Sequence, residues 1–199
     1  MLLRLMTAAA LAVSAPALAQ TPPPGPPPGC AAVPHANEFD FWVGEWNVYG
    51  RNGQLGGSSR ISKRSSGCAV LEEWTNAGGV EGLSLNFVDP DSGEWRQEWM
   101  GTNNYAGYRG ALNARGQMVL HAEQMLFGRN GIVQRGPIRG AWTPLPNGHV
   151  IQHFQTRNAD GTWSDSALLT YVPKASDPNG RDPEAGARGP VIEQAPAID

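Results

Sequence analysis

The chain has 199 residues, a formal net charge of −3, 40% apolar and 17% charged residues, seven tryptophans and two cysteines. The slight acidic excess, with no clustered basic face, argues against a nucleic-acid footprint and gives no reason for attraction to anionic lipid. The balance of apolar and charged residues is that of a globular protein.

Residues 1–19 read as a secretory signal. Arg4 supplies the positive start, Leu5 to Ala15 a short apolar run, and Ala17-Leu18-Ala19 a small-x-small cleavage site that leaves Gln20 as the first mature residue. A transmembrane helix needs about 20 apolar residues and this run is shorter, although a retained signal anchor is the alternative. No twin arginine is present, so general secretion to the periplasm or beyond is expected. Cleavage removes Arg4 and no acidic residue, moving the net charge from −3 to −4. Residues 20–36 form a linker that contains TPPPGPPPG, a composition that favours extended polyproline II. Cys30, behind this segment and far from the apolar run, does not read as a lipidation site.

The domain, residues 37–173, opens with a segment around Asn37 to Trp42 that can form a short helical turn and plug a barrel mouth. Runs of period-two character follow at 44–50, 58–64, 68–75, 82–88 and 94–100, then at 105–112, 117–124, 132–142, 149–156 and 162–172. Leu83, Leu85 and Phe87 share one face of their run, with Ser84 and Asn86 on the other. Trp95, Gln97 and Trp99 share a face of the next. Asn-Gly and Asp-Gly steps between later runs suit tight hairpins. About ten strands joined by short turns predict an all-β, antiparallel up-and-down barrel of 8–10 strands, since closure removes exposed edges. A two-sheet sandwich is the rival. Cys30 and Cys68 are expected to form a disulfide in an oxidising compartment, two buried thiols being the alternative. Residues 174–199 carry few large apolar side chains and read as a disordered tail.

Gly44-x-Trp46, at the start of the first strand within FDFWVGEW, resembles the glycine-x-tryptophan signature of lipocalins and related calycins. With Gly67-Cys68, Glu72-Glu73-Trp74, GLSLNF and WRQEW, the pattern is similar to a family of exported bacterial proteins of unknown function. That resemblance implies a lipocalin-like barrel and the cysteine pair, and supplies no catalytic residues. A more distant likeness to nitrobindin-type barrels, which bind haem through a histidine, places haem among the ligands to consider without selecting one of His35, His121, His149 or His153. The calycin resemblance implies that Gly44 and Trp46 are structural, with Trp46 packing across the closed end beneath Arg139 or Arg157.

Trp74, Trp95, Gln97, Trp99 and Trp163 are the candidate ligand-binding residues, because large rings interspersed with an isolated amide suit a lined pocket. A solid core is the alternative. His149 and His153 stand about 13 Å apart on one strand face and cannot chelate a metal together. Asp89, Asp91 and Gly93 suggest a calcium loop, but Met100 stands where the late glutamate is required. No nucleophile elbow, phosphate loop or dinucleotide fingerprint is present. The leading expectation is an exported barrel that binds a small, partly apolar or aromatic ligand. An isomerase or hydrolase would need an inward titratable group, with Glu72, His121 and Asp165 as candidates. A cell-envelope interaction module would need a solid core and an exposed apolar patch.

Overall fold

A computed structural model describes residues 29–30 and 33–182. Residues 1–19, expected to be a signal, and most of the expected linker and tail lie outside the described residues. Ten antiparallel strands follow in chain order: β1 Gly44–Gly50, β2 Leu55–Arg64, β3 Ala69–Asn76, β4 Glu81–Val88 and β5 Trp95–Gly101, then β6 Asn104–Leu112, β7 Met118–Gly128, β8 Gly131–Pro144, β9 Val150–Arg157 and β10 Trp163–Pro173. Each pairs with its sequence neighbours, and β1 closes on β10 with Trp46 opposite Pro173. Closure leaves no open sheet edge, so the barrel rather than the sandwich is the fold. The hairpins are built as their residues dictate. At β6–β7, Asn113 Oδ1 accepts from the backbone N–H groups of Arg115 and Gln117, both at 3.0 Å, and Gly116 takes φ 74°.

One end is closed by the chain that precedes β1. Residues Asp40–Trp42 make a 3₁₀ turn, and its Trp42 and the preceding Phe39 are fully buried. Phe39 stacks on Trp42 at 4.9 Å and meets Trp95 and Trp142 edge-on at 5.5 Å. Trp46 donates from Nε1 to the Trp42 carbonyl at 3.0 Å. A Cβ at Gly44 would lie 3.3 Å from the Trp46 ring, so the glycine gives the indole its seat. The plug is fastened from outside: Lys63 Nζ donates to the Ala36 carbonyl at 3.0 Å and pairs with Asp40 at 2.5 Å. The disulfide Cys30–Cys68 ties the chain ahead of the plug to the start of β3.

Residues 174–182, assigned by composition to the tail, turn back along the outer side of β1. Lys174 N–H donates to the Glu45 carbonyl at 2.9 Å. Asp177 is buried there, its backbone carbonyl accepting from Asn47 Nδ2 at 2.6 Å and its carboxylate accepting from Tyr49 Oη. Two polar side chains on the outward face of β1 thus capture an acidic residue, a contact that hydropathy does not register.

The alternation of β4 runs opposite to the usual rule. Ser84 and Asn86 point inward and are 0% exposed, whereas Leu83 and Leu85 face outward at 47% and 40%. Met100, opposite Leu83 on β5, extends this outer apolar surface.

Candidate functional site

Between the plug and the far end of the barrel lies a cavity of about 320 Å³. Trp74 from β3, Trp99 from β5, Phe154 from β9 and Leu169 from β10 give it apolar walls, with Asn104 and Gln124 toward the strand ends away from the plug. Its inner end is polar. Glu72, Gln97, Gln152 and the hydroxyl-bearing Tyr108 and Tyr171 line it there. Alternation explains the grouping: Glu72 and Trp74 share one face of β3, and Gln97 and Trp99 share one face of β5.

The polar residues form one hydrogen-bonded belt across the barrel wall. Gln97 Nε2 donates to Asn86 Oδ1 at 2.8 Å, and Asn86 Nδ2 donates to Ser84 Oγ at 3.1 Å. Ser84 Oγ then donates to Glu72 Oε2 at 2.9 Å, while Ser59 Oγ donates to Oε1 at 3.0 Å. Tyr171 Oη stands 3.2 Å from Glu72 Oε1 and 3.1 Å from Gln152 Oε1. Buried polar groups of this kind persist in a core only when satisfied, and this belt satisfies them from six strands.

Glu72 is the chemical centre. Its side chain is buried, and desolvation pushes its pKa up to about 7, against the opposing pull of hydrogen bonds from Ser84, Ser59 and Tyr171. The geometry agrees. With the Gln152 amide oxygen facing it, the Tyr171 hydroxyl has one proton for two acceptors. A proton on Glu72 resolves this, Glu72 donating to Tyr171 Oη and Tyr171 to Gln152. Burial holds the Tyr171 phenol well above its ordinary pKa, so it stays neutral.

No protein-family model matches the chain, and no curated protein matches it in sequence.

Of the five residues expected to contact ligand, Trp74, Gln97 and Trp99 are brought together on the cavity. Trp95 is fully buried against the plug instead. Trp163 is on the outer wall, and so is Asp165. A bulge between Asp165 and Ala167 reverses the phase of β10, so that Ala167, Leu169 and Tyr171 face the cavity while Trp163 and Asp165 face out. Arg139 lies 4.4 Å over the Trp163 ring, with His121 at its edge. The expected stack of Arg139 or Arg157 on Trp46 is therefore not made. Arg139 is on the outward face of β8, and Arg157 donates to the Gly161 carbonyl at 3.3 Å. Of the three candidate titratable groups only Glu72 is inside. His121 is beside Trp163, and Asp165 accepts from His153 at 2.7 Å, Gln155 at 2.9 Å and Arg51 at 2.8 Å, contacts that lower its pKa.

Ser59, Ser84, Asn86, Gln152 and Tyr171 were not singled out from the sequence. The signal available was the Ser-x-Asn alternation of β4, which reads equally well as an ordinary solvent face. Among the described residues no group of histidine, cysteine and carboxylate side chains is placed to hold a metal. None of the four histidines lines the cavity, so its donors do not fit a haem held through histidine.

Proposed function

We propose that this is an exported binding protein that holds a small, partly apolar or aromatic molecule in the barrel cavity. The observation that carries the reading is the pairing of apolar ring walls with a single buried polar belt at the inner end. Small-molecule sites combine mostly apolar linings with a few placed polar groups in volumes of roughly 300–1,000 Å³, and the cavity of about 320 Å³ falls at the lower end. Trp74 and Trp99 supply contact area, and the belt headed by Glu72 fixes orientation. Export is supported by the signal-like first 19 residues and by the cysteine pair, which an oxidising compartment maintains. Quenching of tryptophan fluorescence, titrated with aromatic compounds and fatty acids, tests the reading. Saturable quenching that weakens in Trp74→Ala and Trp99→Ala is expected, and a response unchanged in both variants would contradict it.

Glu72 favours a second reading, that of an isomerase moving a proton within the bound molecule. A carboxyl poised near pH 7 at the wall of a cavity can both take and return a proton. A hydrolase is less well supplied, because Ser84 is wholly buried and bonded to Glu72 rather than open to the cavity. Turnover that follows a group titrating near 7 and is lost in Glu72→Gln would establish this activity.

A further inference from the structure

The chemistry of the cavity narrows the class of molecule it takes. We infer that the barrel selects a small primary amine with an aromatic or apolar body, its ammonium group paired with Glu72. This rests on the cavity being the binding site and adds the charge of the ligand.

Among the described residues that line the cavity, Glu72 is the one acid, and no lysine, arginine or histidine accompanies it. Its neighbours are Ser59 from β2, Ser84 from β4, Gln152 from β9 and Tyr171 from β10, of which only the tyrosine can titrate. A carboxylate ligand would bring a second negative charge to a desolvated acid with no cation to offset it. A neutral ligand would leave the acid protonated and gain one hydrogen bond. An ammonium group instead supplies the missing positive charge and stabilises the ionised carboxylate, which retains the Ser59 and Ser84 hydroxyl donors. Trp74, Trp99 and Tyr108 add π faces, which attract a cation further where water is excluded. The belt favours the same polarity. Asn86 passes its donors toward Ser84, and Ser84 passes its proton to Glu72, so hydrogen-bond donation converges on the carboxylate.

Binding should therefore depend on the Glu72 proton. An aliphatic ammonium keeps its own proton to about pH 10, so Glu72 is the group that changes across the neutral range. With Glu72 titrating at about 7, amine affinity should fall roughly thirtyfold between about pH 8.5 and 5.5.

The test uses the mature chain and three matched probes, phenethylamine, 2-phenylethanol and 3-phenylpropanoate, by titration calorimetry at both pH values. The expected result is an amine at least about tenfold tighter than either analogue at the higher pH, with that advantage shrinking at the lower pH. In Glu72→Gln the ratio of amine to 2-phenylethanol affinity should fall to about one and lose its pH dependence, whatever happens to the affinity for both. The pH comparison on the unaltered protein stands even if this variant fails to fold. If the alcohol or the carboxylate binds as tightly as the amine, the inference is overturned and the cavity remains a ligand site. If none of the three binds, both the inference and the ligand-binding reading on which it rests are overturned.

Discussion

Ser84 Oγ meets Glu72 Oε2 at 2.9 Å from a strand whose leucines face away from the barrel interior. A polar face has been turned inward at the cost of exposing Leu83 and Leu85, and what it gains is donors for one buried carboxyl. Polar groups without partners in a core are expensive, so the inversion makes physical sense only as a set with Glu72.

Stability should therefore vary with pH through Glu72. Its pKa in the folded protein, about 7, is above the ordinary 4.5, so the folded state favours the protonated acid. The associated stability is fully present below about 4.5, declines as pH rises, and is lost above about 7, a difference of about 3 kcal/mol. Glu72→Gln keeps a neutral side chain of the same shape. It should flatten this dependence and leave the protein more stable than the unaltered chain at about pH 8. Urea unfolding of both proteins at about pH 5 and 8 checks this. Parallel curves for the two proteins would show that Glu72 carries no such burden.

Gly82 determines whether Trp99 can stand where it does. A Cβ at this position would lie 2.8 Å from Trp99 Cζ2, closer than carbon atoms tolerate. Gly82→Ala should swing the indole across the cavity, at a cost of about 1–3 kcal/mol typical of overpacking. The expected outcome is a shifted tryptophan emission together with loss of ligand-induced quenching. Unchanged quenching in a folded variant would show that the ring position does not matter to binding.

The ten strands and their closure were legible because period-two runs and Asn-Gly or Asp-Gly turns are local signals. So was the plug around Asn37–Trp42, whose aromatic density has no place on a surface. The interior was less legible. Trp163 and Asp165 lie in phase with Leu169 and Tyr171 by simple alternation, and only the bulge after Asp165 sends them outside. A single unpaired residue leaves no mark in composition. The belt was hidden for another reason. Its members come from β2, β3, β4, β5, β9 and β10, and an inward Ser-x-Asn face looks the same in sequence as an outward one. Trp74, Gln97 and Trp99 could be picked out as large rings beside an isolated amide, and Glu72 as an acid able to face inward.

Arg139 should make His121 harder to protonate. Burial first, and the nearby guanidinium second, hold the His121 pKa below its ordinary value. Arg139→Met removes the charge and preserves much of the aliphatic stem. The His121 pKa should move back up toward 6.5, as followed by NMR titration of its ring protons. Loss of the stack on Trp163 should lower stability by roughly 1 kcal/mol. A fixed His121 titration would mean that the charge does not act across this outer surface.

The disulfide should stabilise the fold without being needed to shape it. Cys30 and Cys68 are 38 residues apart, and closing a loop of that length contributes about 4 kcal/mol on the chain-entropy estimate, which acts through the unfolded state. The plug has its own anchors: Lys63 reaches Ala36 and Asp40, and Phe39 is packed among Trp42, Trp95 and Trp142. Cys30→Ser with Cys68→Ser should therefore keep the near-ultraviolet circular dichroism of the buried indoles while the urea midpoint falls. If the indole signal collapses along with the midpoint, the covalent tie is what seats Phe39 and Trp42, and the side-chain anchors alone are too weak to close that end of the barrel.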